Sequence, residues 1–175
     1  MEHKNLERYL NSFGKQVVAQ AKEELQKEKG DTALSGSIRY ELTKEFTAKF
    51  FMASYGKFLD KGVSGTKVKR SFTNQDGQKE KSPFKYTTKQ PPTGIIDKWV
   101  VRKGLKGSRD KEGRFIKRKS MVFLIARSIK RKGIKGLSFF QKPFGFAMKD
   151  FDVLFGKALK KDIEEAWSKV EAKLN

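Results

Sequence analysis

The chain has 175 residues, of which forty are Lys or Arg and twenty are Asp or Glu, giving a formal net charge of +20 at pH 7. It contains no Cys, which excludes disulfides, thiolate zinc sites and cysteine nucleophiles. The single His is His3, so the commonest pairs of nucleophile and base cannot be assembled from this sequence. No apolar run approaches the ~20 residues of a membrane-spanning helix, and no apolar signal segment opens the chain. We therefore expect a protein that is made and used inside a cell, away from membranes.

The N-terminal part of the chain predicts one long helix followed by two strands. Apolar residues recur every three or four positions over residues 4–29, and Gly30 follows where a helix C-cap belongs. The apolar positions are Leu6, Leu10, Phe13, Val17, Ala21 and Leu25. Apolar and polar residues then alternate over 38–42 and again over 46–52, which predicts two paired antiparallel strands with one buried face.

The middle of the chain is polar and rich in turn residues. Tyr55 to Leu59 leads into a turn at Lys61–Gly65, where two glycines are expected to supply positive φ. Residues 67–90 are polar, with Asn74–Gly77 as the clearest turn and weak support for strands on either side. After Pro91 and Pro92 comes a short predicted helix whose apolar face is Ile95, Ile96, Trp99 and Val100.

The C-terminal part predicts two further helices. Residues 107–119 form an exposed loop, and a helix over 121–129 is ended by Gly133 and Gly136. The strongest periodicity in the chain follows and predicts a helix of six or seven turns with a wide apolar stripe, in which Trp167 is expected to fill a core site. The stripe comprises Phe151, Leu154, Phe155, Ala158, Leu159, Ile163, Ala166, Trp167, Val170 and Leu174.

Together these elements predict an α+β fold, with a small antiparallel sheet packed against long N- and C-terminal helices. The chain is predicted to be a single domain, 1–175. Its core comprises 1–63 and 120–175, and an extended basic arm, 64–119, is inserted between them.

Most of the charge surplus lies in one stretch, residues 98–142, which holds sixteen basic and two acidic residues, a net charge of +14. No acidic residue occurs between Glu112 and Asp150. Cations at the end of a helix are favourable through the helix dipole, and a solvated face is the ordinary explanation of a run of charges. A gap of this length favours instead a surface that meets nucleic acid or an acidic protein.

The candidate contact surface comprises basic residues on both sides of the predicted arm. Its members are Lys67, Lys69, Arg70, Arg102, Lys103, Arg114, Lys117, Arg118, Lys119, Arg127, Lys130, Arg131, Lys132 and Lys135. No helix-turn-helix spacing, zinc-finger ligand set or heptad-backed basic region accompanies them, so reading of DNA sequence is not expected. Phe139 and Phe140 are the right type to stack on bases, but their apolar neighbours favour a place in the core.

The search for catalytic chemistry finds no convincing site. Gly62 to Lys67 fails the spacing of a phosphate-binding P-loop. The glutamates of the two long helices alternate with lysines, as solvent-facing pairs do. We therefore expect no catalytic residues, no metal and no cofactor, and consider an enzyme acting on nucleic acid the weakest of three hypotheses.

Three islands resemble the tail-completion and neck proteins of tailed bacteriophages, the lambda-like head–tail connector family in its larger variant. Asp31–Ile38 (DTALSGSI) is similar to the family pattern D-T-G-x-L-x-x-S-I, with Ala33 in place of Gly and one residue fewer before Leu34. Tyr55–Gly65 (YGKFLDKGVSG) is similar to Y-A-x-F-v-E-x-G-T, with Asp60 at the position of the expected Glu. Ile125–Phe144 (IARSIKRKGIKGLSFFQKPF) resembles a segment of the larger family members. In that segment a helix, a K-G-I turn and a pair of Phe residues lead into the long C-terminal helix.

This resemblance implies a structural virion protein. It would form a homo-oligomeric ring between portal or adaptor and tail, with a channel through which DNA passes. The basic surface would face either genomic DNA or an acidic neighbouring protein. The alternative hypothesis is a non-specific nucleic-acid-binding protein that is not part of a virion.

Overall fold

A computed structural model describes residues 3–30, 32–105, 109 and 111–174. For residues 173 and 174 only the backbone is described. The fold is α+β, as predicted. The helices are α1 (Lys4–Lys29), α2 (Ala33–Ser37), α3 (Gly56–Lys61), α4 (Thr93–Arg102), α5 (Arg118–Lys132), α6 (Gln141–Met148) and α7 (Phe151–Leu174). The strands are β1 (Arg39–Leu42), β2 (Ala48–Phe51), β3 (Val63–Ser64), β4 (Ser71–Thr73), β5 (Lys79–Lys81) and β6 (Gly133–Ile134). They pair as β1–β2, β3–β6 and β4–β5.

The chain divides into two compact units. Unit 1 comprises residues 1–56, 73–78 and 138–175, and unit 2 comprises residues 57–72 and 79–137. The residues predicted as an inserted arm therefore lie mainly in unit 2, together with 57–63 and 120–137 on either side of it.

The core of unit 1 is built on α1. All six apolar positions predicted from its periodicity are buried, from Leu6 to Leu25. This face packs against the β1–β2 hairpin, α6 and α7, and Phe13 contacts the rings of Phe50, Phe144 and Phe151 with centroids 4.9–6.4 Å apart. Each fully buried large apolar side chain contributes about 1.5–3 kcal/mol of hydrophobic free energy. The prediction for residues 4–29 and for the antiparallel hairpin is confirmed.

The start of α1 is capped from the other end of the chain. His3, its N-cap residue, makes no capping side-chain hydrogen bond to the described residues. The buried carboxylate of Asp162 on α7 accepts hydrogen bonds from the backbone N–H groups of Asn5 (2.8 Å) and Leu6 (2.9 Å) instead. Burial alone would raise the pKa of this carboxyl, but the two N–H donors and the Asn5 amide lower it below its ordinary value.

The apolar stripe of α7 is half-buried over most of its first part and exposed from Ile163 onward except at Ala166, which corrects the prediction that Trp167 fills a core site. Trp167 is 64% exposed, and Ile163 and Val170 are 51% and 50% exposed. The cause is the antiparallel course of the two long helices: Phe151 packs on Phe13, and Asp162 already reaches the first turn of α1. Glu165 still accepts a hydrogen bond from the Asn5 side chain (2.9 Å), so it is residues 166–174, about 14 Å of helix at 1.5 Å per residue, that run past the start of α1.

The main apolar cluster of unit 2 is smaller and lies between α4 and α5. It consists of Ile96, Val100, Val122 and Ala126, with Met121, Ile125 and Ile129 partly buried against it. Val63 and Phe72 are also buried in this unit. Of the four residues predicted to form the apolar face of α4, Ile96 and Val100 are buried. The prediction is wrong for the other two, because Ile95 is 64% exposed and Trp99 is 41% exposed. A single facing helix covers only one narrow strip of α4, and these two residues fall outside it.

Candidate cationic contact surface

The charge of the protein is divided very unevenly between the two units. Unit 2 contains twenty-four basic and five acidic residues, a net charge of +19, whereas unit 1 contains sixteen basic and fifteen acidic residues, a net charge of +1. All fourteen residues of the predicted contact surface belong to unit 2. The surface therefore belongs to one compact part of the molecule.

A loop that folds over the end of α5 brings the two halves of the predicted surface together. The backbone N–H groups of Thr66 and Lys67 donate to the carbonyls of Lys130 (2.9 Å) and Arg131 (3.0 Å). The Nε of Arg70 donates to the carbonyl of Lys132 (2.8 Å). These bonds satisfy carbonyls that a helix end otherwise leaves unpaired. They also place the basic residues of 67–70 beside those of 127–132.

Two glycines allow this close crossing of the backbone. A Cβ on Gly65 would lie 2.2 Å from the carbonyl oxygen of Arg131, and one on Gly133 would lie 2.1 Å from that of Val63. Gly62 and Gly133 have positive φ, but Gly65 does not. The sequence-based expectation that both glycines of the Lys61–Gly65 turn supply positive φ is therefore wrong for Gly65. Its lack of a side chain serves close approach instead.

The crossing leaves a groove on the surface of α5, with a volume of about 320 Å³. Its apolar part is formed by Val68 and Leu124, which are 38% and 53% exposed. The residues that line this α5 groove are Lys67, Val68, Leu124, Arg127, Ser128, Arg131 and Lys132. None of its four cations forms an ion pair with a carboxylate among the described residues. The groove thus combines an apolar floor with a cationic rim.

The other end of α5 carries a second group of cations. Lys117 is its N-cap, and Arg118 and Lys119 begin its first turn. Arg118 forms two hydrogen bonds with Asp97 of α4, and this partner lowers the pKa of the Asp97 carboxyl. Positive charge at a helix N-terminus opposes the helix dipole, at about 0.3–1 kcal/mol for each exposed charge. A favourable helix ending can therefore explain Lys130, Arg131 and Lys132, but it cannot explain Lys117 and Lys119.

The structure does not bring all the predicted residues to one place. Arg102 and Lys103 lie at the C-terminal end of α4, and Lys69 and Lys135 are exposed outside the groove. The Nζ of Lys130 donates to the carbonyl of Thr88 (2.5 Å), and Arg114 pairs with Glu112 (3.0 Å). These two cations are therefore partly engaged within the chain. Lys106, Gly107 and Asp110, which belong to the predicted basic loop, lie outside the described residues, as does Asp31 of the first island.

Sequence reasoning missed the apolar component of the surface. Val68 and Leu124 are remote in the chain, and they become neighbours because the loop after β3 bonds to the end of α5 beside the antiparallel β3–β6 pair. Phe139, which was predicted to lie in the core, is 1% exposed, so that prediction is confirmed.

Other features of the described residues add no chemistry. A larger groove of about 570 Å³ in unit 1 is lined by residues of 74–77 and 142–149, and its titratable groups are Asp76, Lys142 and Lys149. In the part of the chain that is described, no group of three or more His, Asp and Glu residues is placed to hold a metal ion. The described helices also include none that combines the length and apolarity needed to cross a membrane.

Comparison with other proteins gives no match: no family model fits the chain, and neither a curated protein nor a solved structure is significantly similar to it. The interpretation of the surface therefore depends on its own charge and geometry.

Proposed function

We propose that the protein is a structural virion protein of the phage neck or tail-completion type. In this role it is one subunit of a ring between portal or adaptor and tail, and genomic DNA passes through the ring. The observation that carries the proposal is the concentration of a net charge of +19 in unit 2 beside a nearly neutral unit 1. The three resembling islands supply the particular class of protein.

The division of charge suits a ring subunit because it separates two tasks. A nearly neutral unit with balanced charges can pack against other protein without strong repulsion. A cationic unit attracts phosphates or carboxylates at long range and needs no base contacts to hold them. Neither task requires a covalent step, so we propose no catalytic residue and no cofactor.

The genetic test is a stop codon in the gene for this chain, placed early and suppressible. We expect DNA-filled heads and separate tails that fail to join, with infectivity restored when the codon is suppressed. Complete, infectious particles in the absence of the protein would contradict the proposal.

A free nucleic-acid-binding protein is the second candidate, and exposed aromatic residues in unit 2 favour it. Trp99, Phe115 and Phe123 are 41%, 65% and 47% exposed within the cationic unit. Aromatic rings among basic side chains are typical of surfaces on which the bases of single strands stack. Purified particles that contain no copies of the chain, together with tight binding of single-stranded DNA, would favour this candidate.

A further inference from the structure

The rim of the α5 groove carries positive charge that the surrounding chain does not neutralise. The described residues that line the groove include two Lys, two Arg and no carboxylate, and all four cations are exposed. None of them forms an ion pair with a described carboxylate. The two segments that build the groove contain no Asp or Glu over 61–75 and over 113–149. A ligand of this groove is therefore anionic.

Two arginines of the rim are spaced to hold a pair of carboxylates. Leu124, Arg127, Ser128 and Arg131 recur at the spacing of one helix face on α5. The two arginines are one turn apart, about 6 Å along the helix axis. A guanidinium binds a carboxylate through two parallel N–H···O bonds. Acidic residues at i and i+4 of a helix, or at i and i+2 of an extended chain, have a similar spacing, about 6–7 Å.

The floor of the groove favours a peptide over a nucleic acid. It is formed by Val68 and Leu124, and none of the described lining residues is aromatic. Surfaces for single strands stack the bases on aromatic rings, and the backbone of a duplex offers phosphates and sugars. Neither places apolar surface against the two aliphatic side chains. An aliphatic side chain of a peptide would be removed from water there, as at the apolar centre of a protein interface with a polar rim.

The wall of the groove is already formed in the chain alone. The N–H of Val68 donates to the carbonyl of Arg131 (3.3 Å), and the N–H of Gly65 donates to the carbonyl of Val68 (2.8 Å). A wall that is fixed in advance lowers the entropic cost of binding. The N–H groups of Thr66 and Lys67 also bond to carbonyls of α5. These backbone donors are therefore not free to cradle a phosphate, as the donors of a phosphate nest are.

We infer that the α5 groove binds a short acidic peptide segment of another protein. Its carboxylates pair with Arg127 and Arg131, and an aliphatic side chain lies on Val68 and Leu124. The volume of about 320 Å³ equals that of roughly ten water molecules in the liquid, which is room for one or two side chains. Recognition of acidic motifs by arginine clusters is a recurring mode of peptide binding. The inference rests on the proposed function for one point, that the segment belongs to a neighbouring virion protein.

A double-mutant cycle tests the apolar part of this contact. The probe is a fluorescein-labelled peptide, Ser-Glu-Ser-Glu-Leu-Glu-Ser-Glu-Ser, and its partner in the cycle has Ser in place of Leu. We expect the full chain to bind the leucine peptide about tenfold more tightly than the serine peptide in fluorescence anisotropy. In Leu124→Ser this preference should disappear, because the two leucines contact each other. Ile95→Ser, at a 64% exposed apolar site of α4, is the matched control and should keep the preference.

The charged part is tested with two variants that each lose two positive charges. Arg127→Gln with Arg131→Gln should weaken binding of the leucine peptide at least about tenfold. Lys117→Gln with Lys119→Gln removes the same charge at the other end of α5 and should change it little. Equal losses in the two variants would show general attraction by unit 2 and would overturn the inference. So would a chain that does not bind the leucine peptide, or a preference that survives in Leu124→Ser.

A duplex oligonucleotide is the competing ligand in the same assay. Leu124→Ser should leave its affinity unchanged, because a duplex makes no use of the apolar floor. If Leu124→Ser weakens binding of the duplex as much as binding of the leucine peptide, the groove is a nucleic-acid surface and the inference is wrong.

The outcome is separable from that of the proposed function. If heads and tails fail to join without the chain but Leu124→Ser does not alter peptide preference, the groove is wrongly assigned and the neck function stands. If the peptide cycle gives the expected result but complete particles form without the chain, the groove stands and the neck function fails.

Discussion

The two units of this protein differ in charge balance and in the size of their apolar cores. Unit 1 balances sixteen basic against fifteen acidic residues and buries a long helix along its whole length. Unit 2 carries a net charge of +19 on a core of only a few residues between α4 and α5. A surplus of like charge destabilises a compact state through self-repulsion. Solvation with balanced charges is enough to explain the cations of unit 1, whereas for those of unit 2 we propose a contact with phosphate or acidic protein.

Removing core volume from unit 1 should have the largest effect on stability. Leu25 is fully buried on α1, so Leu25→Ala is expected to lower the free energy of unfolding by about 2–5 kcal/mol. Binding of DNA by the folded variant should be unchanged, because the substitution leaves unit 2 intact. The matched control is Trp167→Ala, an exposed site, which should change the unfolding free energy by no more than about 0.5 kcal/mol. Chemical denaturation measures both, and equal losses would contradict the assignment of Trp167 to the surface.

The cap that joins the two ends of unit 1 should have an intermediate, pH-dependent effect. Asp162→Asn is expected to lower the free energy of unfolding at neutral pH, since the amide is uncharged and has only one oxygen to accept the backbone N–H bonds of Asn5 and Leu6. The pKa of Asp162 is lowered in the folded protein. The stabilisation is therefore complete above the carboxyl's unfolded pKa, ~3.9, and is lost as the pH falls through the folded value.

Denaturation of both proteins over a series of pH values checks this account. The difference in stability between the parent and Asp162→Asn should shrink toward acid. A difference that stays constant down to the lowest measurable pH would show that the charge of the cap is irrelevant.

The smallest change in stability is expected in unit 2, and with the opposite sign. Lys117→Glu with Lys119→Glu places carboxylates where the dipole of α5 favours them, so stability should rise by about 0.3–1 kcal/mol for each residue. Binding to DNA should weaken, and the slope of log affinity against log salt should become shallower by about 0.9 for each phosphate that the variant no longer neutralises. A decrease in both stability and binding would show that these lysines serve the fold.

The sequence predicted the elements better than their surroundings. α1 was predicted with its bounds and all its buried positions except Gly14, because its periodic face is covered along its whole length. α7 shows an equally clear period, yet four of the nine described residues of its stripe are exposed and none is buried. Periodicity shows which face of a helix is apolar, but it does not show what packs against that face.

The sequence was enough to predict which residues form the candidate site, but not how the fold brings them together. The cations of 67–70 and 127–132 were identified from the charge pattern, but their meeting depends on backbone crossing at Gly65 and Gly133. Such contacts between remote segments leave no local signal. The short helices α3 and α6 were missed for a related reason, since Gly56 and Pro143 within them are typical of loops.

The most direct test of the account is a cryo-electron microscopy map of the neck in intact particles, with the chain located by a tag. We expect a ring of copies in which unit 2 contacts either the DNA of the channel or an acidic face of the neighbouring ring. A neck without copies of the chain, or a ring whose unit 2 faces only bulk solvent, would contradict the assignment of these cations to contact.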